Sequence, residues 1–251
     1  MMRRVRAYWP AFAFFLGIVA VWEFFARTGA VPAFILPAPT QIIDAVVRYS
    51  GQLFGVHLAA TLEEVFLGLV LSILLAVGVA VAMFFFPAAE KMLYPSLIVS
   101  QTIPLIAIAP VFALWFGYTL WSKVAVVVLI SFFPLVVNLY DGLKAGSTEV
   151  VDLLRTMGAT RWQIFRKAQV PMALPSFFSG LKIAAVFSVT GATIGEWLGA
   201  EQGLGYFGRR MSSTLRADGV FASVLILSLL GIVMFLLIFL LERRWLHIKR
   251  K

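Results

Sequence analysis

Long apolar runs separated by short polar segments set the pattern of this chain. Six of them, 10–26, 65–86, 97–116, 124–140, 171–199 and 219–241, stand out in the sequence. Each reaches the roughly 17–25 residues that a helix needs to cross hydrocarbon, and each predicts a transmembrane helix. The fifth is the longest and contains Lys182 and Glu196, so it is expected to tilt or bend. Lys182 is placed near the inner boundary, where its stem can snorkel. Pro104, Pro110 and Pro134 interrupt the third and fourth runs and predict kinks, their freed carbonyls satisfied by neighbouring helices. Between the first two runs, "LPAPTQIIDAVVRY" has two prolines and then Thr40 as a helix N-cap. Ile42, Ile43, Val46 and Val47 fall on one face of the predicted helix, which is expected to lie on the outer surface.

Composition agrees with a bilayer as the solvent. The chain has 251 residues, 61% hydrophobic and 13% charged, against roughly 45–50% and 25% in soluble domains. The fold class expected is an all-α integral membrane protein. With six spans both termini share one side, and basic residues choose it. Arg3, Arg4, Arg6, Lys91, Lys144, Arg155, Arg161, Arg166, Lys167, Arg243, Arg244, Lys249, Arg250 and Lys251 fall on the terminal side. Arg27, Arg48, Lys123, Arg209, Arg210 and Arg216 fall on the other. The excess predicts cytoplasmic tails at 1–9 and 242–251, a membrane domain over 10–241 and a cytoplasmic loop over 141–170. It also accounts for the net charge of +9 without a nucleic-acid partner. The start, basic and then apolar, also suits a signal peptide. Trp22, Glu23, Phe24 and Phe25 make a poor approach to a small-residue cleavage site, so an uncleaved first span is expected.

The stretch "LLRTMGATRWQIFRKAQVP", 153–171, breaks the apolar pattern with Arg155, Arg161, Arg166 and Lys167. From 148 the spacing is helical. Val150, Val151, Leu153, Leu154 and Met157 form a stripe opposite Glu149, Asp152 and Arg155. Gly158 ends the helix. A second helix starts at Thr160 with Trp162, Ile164 and Phe165, and Pro171 and Pro175 open the fifth span. Physics alone leaves two uses for this helix–Gly–helix elbow. It docks into a partner's groove, or it rests on the inner leaflet by its basic residues.

The elbow resembles the EAA loop of binding-protein-dependent ABC importer permeases: EAA, three residues, Gly, nine residues, then I-x-L-P. Here "DLLRTMG" and "AQVP" occupy those places. Gly158 and Pro171 match, Asp152 stands for Glu, Leu153 and Leu154 for the two alanines, Ala168 for Ile and Val170 for Leu. "LPAPTQI", "IPLIAIAPVFALWFG", "SFFPLVVNLYDGL", "GATRWQIFRKAQVPMALP" and "GLGY" follow in order and resemble the sulfonate, taurine, nitrate and pyrimidine-precursor branch. The resemblance implies a type I (MetI-like) permease fold of about six spans. It makes the elbow a coupling helix in a groove of a separate ATPase, carried by Asp152, Leu153, Leu154, Gly158, Ala159, Arg161 and Pro171. It also implies two ATP-binding subunits, a second permease copy as a homodimer, an external solute-binding protein and a bacterial cytoplasmic membrane.

Three polar residues in or beside the spans are pathway candidates. Glu196, among Gly191, Ala192, Gly195 and Gly199, is expected to face the pathway or the permease dimer interface, or else water at the outer boundary. Gln101 and Asn138 line the pathway or bond between helices. Arg209, Arg210 and Arg216 in the glycine-rich outer loop are candidates for contact with the binding protein, or are solvated.

Catalytic chemistry finds no carrier. Cysteine is absent, His57 and His247 are far apart, and no ATP-binding, hydrolase or metal motif occurs. No cofactor or metal is expected. A secondary transporter would show repeats and midplane carboxylates, and a membrane enzyme convergent acid–base groups. The expected function is a transport subunit, not an enzyme, with ATP hydrolysed elsewhere. The stretch "GATIGEWLGAEQGLGY" resembles permeases for vitamin-like heterocycles, so the resemblance implies a thiamine pyrimidine precursor or riboflavin as substrate; a neutral or cationic ring also tolerates Glu196 better than an anion does. Sulfonate, taurine or nitrate is the alternative.

Overall fold

A backbone in hydrocarbon has no water to bond, so it satisfies its own N–H and C=O groups by coiling. The structure, a computed structural model, describes residues 2–29, 31–146 and 148–248, and every regular element among them is helical. Side chains of 2–8, 11, 148, 247 and 248 lie outside the described residues, as do 249–251. The expectations for Arg3, Arg4, Arg6, His247, Lys249, Arg250 and Lys251 therefore fall outside them.

In chain order the helices are α1 (Met2–Arg27), α2 (Pro39–Arg48), α3 (Ser50–Phe85), α4 (Pro87–Ser100) and α5 (Leu105–Phe116). Then follow α6 (Leu120–Lys144), α7 (Thr148–Thr156), α8 (Arg161–Trp197), α9 (Leu204–Ser213) and α10 (Ala217–Ile248). Among the described residues, α3, α6, α8 and α10 are each long and apolar enough to cross a bilayer. The run at 97–116 is not one straight helix: α4 and α5 are bent by 105° at their break. Pro104 is the cause. It is extended, φ −61° and ψ 115°, it lacks an N–H, and its ring disfavours a helical Ile103. The pair is a broken span or a re-entrant turn.

α6 is the centre. Its Val124, Val126, Val127, Leu135 and Val136 are buried. α3 packs on it through Leu69, Ala76, Ala80 and Met83, and α8 through Phe178, Leu181, Ala184 and Ala185. The α6–α8 contact is close because glycines lie along it. Gly142 faces Ser176, Gly180 faces the Pro134 carbonyl and Asn138, Gly191 faces the Val127 backbone, and Gly195 faces Lys123. Small residues allow such approach where no hydrophobic force separates lipid from protein. Lys182 does not simply snorkel: its Nζ bonds Glu242 of α10 at 2.8 Å with both side chains largely buried.

Two expectations about helix ends are corrected. The cap of α2 is Ala38, with Pro39 first in the helix and the Gln41 side chain accepting the Ala38 N–H at 3.0 Å. Thr40 instead donates its hydroxyl to Glu23 of α1 at 2.8 Å. Only Ile42 and Ala45 of α2 are buried, against Leu53, Leu204, Phe207 and Met211, while Ile43 and Val47 stay exposed. A neighbouring helix, not the membrane surface, takes the inner face. Pro171 and Pro175 do not open α8 either, which runs unbroken from Arg161. A π-turn at Phe165–Gln169 precedes Pro171. The wider turn alters the carbonyl register that the Pro171 ring would strike.

A Cβ on Gly180 would lie 2.7 Å from the Pro134 carbonyl oxygen. Gly180→Ala should therefore lose about 1–3 kcal/mol by overpacking. Gly78 has open space around it, and Gly78→Ala should be neutral or stabilising by up to about 1 kcal/mol. Thermal unfolding of the two variants in lipid nanodiscs checks the contrast.

Candidate functional site

The elbow is built from two complementary caps. Gly158 has φ +81°. Its N–H bonds the Arg155 carbonyl at 2.9 Å, and the Ala159 N–H bonds the Leu154 carbonyl at 2.9 Å. That is a Schellman end, and it selects glycine. Two residues on, Thr160 caps α8: its hydroxyl accepts the Gln163 N–H at 3.3 Å, and Gln163 accepts the Thr160 N–H at 2.9 Å. The chain thus leaves one helix and enters the next within a few residues. Glu149 at the start of α7 and Arg155 at its end suit the helix dipole.

The expected apolar stripe of α7 divides. Val151 is buried and Leu154 half-buried, whereas Leu153 and Met157 are 60% and 73% exposed. Asp152 is exposed and pairs with Arg155 at 3.2 Å. Ala159 is half-buried and Arg161 exposed, and Pro171 is half-buried inside α8. Beneath the elbow, Phe84 and Phe85 at the end of α3 meet Trp162 and Phe165 of α8. Ring centroids are 4.8 Å apart for Phe85–Phe165, 5.4 Å for Trp162–Phe165 and 6.2 Å for Phe85–Trp162. Such pairs add about 0.5–1.5 kcal/mol each beyond burial. The elbow is thereby fixed to two membrane-crossing helices.

At the opposite ends of α3 and α8 lies a buried polar cluster. Glu196 is 0% exposed. It accepts the Thr61 hydroxyl at 2.6 Å and the Gly205 N–H at 2.5 Å. Thr61 accepts the Leu204 N–H at 2.9 Å, and His57 Nδ1 accepts the Gly203 N–H at 3.2 Å. Orphan amides at the start of α9 are thus capped by side chains from α3 and α8. Gly203, at φ +117°, lets the loop press onto the Glu196 carboxylate. Glu64 is 1% exposed and pairs with Lys123 of α6 at 2.9 Å.

Glu196 therefore holds an internal joint, buried on this chain by its donors, and among the described residues it is not part of the lining of the two cavities beside α10. Gln101 is exposed at the α4–α5 bend. Asn138 is half-buried and donates to the Pro134 carbonyl of its own helix at 2.8 Å. Neither approaches Glu196 in these contacts. Arg209 bonds the Trp197 carbonyl and Arg216 the Tyr49 hydroxyl, so both brace the loop, while Arg210 is exposed.

Sequence reasoning missed His57, Thr61, Glu64 and Lys123 as a group. The spacing i, i+4, i+7 on α3 puts the first three on one helical face. Lys123, across from them on another helix, carries no local mark in the sequence. It also missed a groove between α8 and α10. Two adjoining cavities of about 570 and 600 Å³ share Thr193, Trp197 and Leu227 there, with Thr190, Ser212 and Ser228 along their walls. Among the described residues no three His, Asp or Glu side chains gather as a metal site.

Comparison with known proteins gives a consistent result. Residues 65–247 match the family model for the binding-protein-dependent transport system inner membrane component. The chain is 50% identical over 235 residues to the formylaminopyrimidine transport permease protein ThiX of Halalkalibacterium halodurans, covering 94% of this chain and 93% of that one. It is 31% identical to the riboflavin transport system permease protein RibX of Chloroflexus aurantiacus, covering 94% and 91%. It is 29% identical to a putative aliphatic sulfonates transport permease protein, SsuC, of Bacillus subtilis, covering 90% and 83%. Among solved structures, an amino acid ABC transporter superposes with a TM-score of 0.62 at 18% identity, over 79% of this chain and 96% of that one. That likeness concerns the fold.

The two caps predict how the elbow fails. Gly158→Val forces a β-branched residue into the left-handed region, which costs at least about 1–2 kcal/mol, and Thr160→Ala removes a cap worth about 1 kcal/mol. Limited proteolysis of the purified chain should cut both variants between 155 and 165 faster than the parent, with α3 and α6 equally protected in all three.

Proposed function

The chain belongs to the family of inner membrane components of binding-protein-dependent transport systems, and on that premise we propose that it forms the translocation pathway for a pyrimidine precursor of a vitamin. The family makes it an ABC importer permease, a multi-pass transport subunit. The single observation behind the substrate reading is the 50% identity, across nearly the whole length, to a formylaminopyrimidine permease. The 31% identity to a riboflavin permease supports a heterocycle more broadly. The sulfonate relative stands at lower identity and offers the second reading.

The geometry supports a division of labour. α7 and the start of α8 are the coupling element. Leu153 and Met157 present apolar side chains that are largely exposed among the described residues, a surface suited to a groove on an ATP-binding subunit. Asp152, Leu154, Ala159 and Arg161 surround that surface, and Gly158 and Pro171 shape it. Two such subunits would serve two copies of this chain. The elbow and both termini lie on the cytoplasmic side of a bacterial inner membrane, following the basic residues. α2, α9 and the buried cluster then lie outside, where Arg210 is free to meet the solute-binding protein. Arg209 and Arg216 act there only by holding the loop.

The substrate path runs along the α8–α10 groove, not past Glu196. Its hydroxyl-bearing walls and the half-exposed Trp197 suit a planar, uncharged ring. Gln101 at the bend of α4 and α5 stays a pathway candidate, and Asn138 is assigned to helix packing.

Proteoliposomes holding this chain, its ATPase and its binding protein should take up formylaminopyrimidine only with ATP and with all three components. Riboflavin, taurine and nitrate should compete poorly at equal concentration. Uptake of taurine in preference would remove the pyrimidine reading and leave the permease. Gradient-driven uptake by the chain alone would remove the coupling role.

A further inference from the structure

A smaller cavity lies under the elbow, at the ends of α3 and α8 that are remote from Glu64 and Glu196. Its volume is about 250 Å³. Phe84, Phe85 and Ile164 give it an apolar lining, while Arg155 of α7 and Arg161 and Gln169 of α8 give it a polar one. All the charge in that lining is positive. Arg155 meets Asp152 at 3.2 Å, with both side chains 66% exposed. An ion pair so open to water is weak. A guanidinium carries five N–H donors, so Arg155 keeps donors for a second anion. Arg161 enters no ion pair among the described residues. Glu90 at the start of α4 is taken by Lys144 at 2.6 Å.

Depth narrows the choice of occupant. Phe85 is the last residue of α3, so an apolar span ends at the cavity, and the chain turns polar at Glu90 and Lys91. The cavity thus sits where hydrocarbon gives way to headgroups. Trp162, next to Arg161, is 59% exposed, and indoles collect at that level of a bilayer. Size narrows it further. A volume of about 250 Å³ is below the roughly 300–1,000 Å³ of sites that enclose a small molecule. It admits a headgroup and leaves the acyl tails outside, where Phe86 is 63% exposed.

We infer that this cavity binds the headgroup of an anionic phospholipid, with Arg155 and Arg161 on the phosphate and Gln169 on the headgroup's hydroxyl groups. Guanidinium matches phosphate oxygens two at a time, and basic pockets between membrane helices on the cytoplasmic side suit anionic headgroups. That the leaflet is the inner one rests on the orientation proposed for the permease. The two arginines stand on different arms of the elbow, one on each side of Gly158. A phosphate between them holds the angle of the arms. It leaves the coupling surface free. At about 100° per residue, Val151 and Arg155 lie on one side of α7 and Leu153 and Met157 on the opposite side. Val151 is buried against the chain, and Leu153 and Met157 are exposed.

The test compares thermal unfolding of the purified full chain in nanodiscs of phosphatidylcholine, with and without phosphatidylglycerol. The anionic lipid should raise the parent's Tm by about 2–4 °C. Arg155→Gln with Arg161→Gln should keep the parent's Tm in phosphatidylcholine, since both side chains are exposed, and should lose the rise. Arg166→Gln with Lys167→Gln removes the same charge from exposed positions of α8 outside the cavity, and should keep it. Equal loss in both double variants means diffuse attraction and overturns the site. A parent without the rise overturns it as well. A rise given in phosphatidylcholine by inorganic phosphate makes the occupant a free anion and overturns the lipid assignment. If the first double variant does not fold, Arg161→Gln alone should cut the rise, and an undiminished rise overturns the site. No ATPase or substrate is present and both leaflets carry the same lipid. Failure here therefore leaves the transport reading standing, and failure of uptake leaves this site standing.

Discussion

Every polar group carried into hydrocarbon must find its partner within the protein, and the architecture of this chain follows from that constraint. It makes each element a helix. It draws Lys182 to Glu242 across α8 and α10, and Lys123 to Glu64 across α6 and α3. It also turns the awkward end of α9, whose first amides have no helical partner, into the place where Glu196, Thr61 and His57 are spent. One lost partner in such a network costs more than a lost contact on a wet surface, because the remaining group stays buried and unpaired.

The same two helices are fastened at both ends. α3 runs from the polar cluster at Thr61 and Glu64 to the aromatic clamp at Phe84 and Phe85. α8 runs from that clamp at Trp162 and Phe165 to Glu196 in the cluster. α6 fills the space between them, close-packed along glycines. At about 1.5 Å per residue, the stretch of α8 between clamp and cluster is some 46 Å long. A push on the elbow therefore meets helices already joined on the far side. The joint moves as a unit, or its hydrogen bonds break. Each helix has a π-turn beside one of its fastenings, Leu53–His57 in α3 and Phe165–Gln169 in α8. Such turns are places where a helix yields.

Local signals were legible in the sequence. Gly158 followed by Thr160 and Gln163 spells the end of one helix and the start of another, and both caps form as that spelling requires. The apolar runs mark the long helices: those at 10–26, 124–140 and 219–241 lie inside longer helices because polar flanks extend them, while 97–116 is broken between α4 and α5. Family motifs carried the permease reading. Long-range pairings were not legible. Glu196 reads as a lone intramembrane acid until the fold brings Thr61 and the Gly205 amide to it from far along the chain. Lys123 reads as a loop charge for the same reason, and Thr40 reads as a cap until Glu23 claims its hydroxyl. Pro104 marks a kink, but nothing local sets the bend at Gln101–Pro104 as wide as 105°.

The central claim is that the exposed face of α7 is where ATP-driven motion enters these helices. The most direct measurement replaces Leu153 and Met157 together by glutamate and follows ATPase capture and ATP turnover in reconstituted complexes. The account predicts that the variant folds, since both side chains are already exposed. It also predicts that the variant retains its ligand-loaded binding protein but neither captures the ATPase nor raises its turnover. Full capture and full stimulated turnover by that variant would contradict the account, and would leave the elbow as a surface helix resting on lipid.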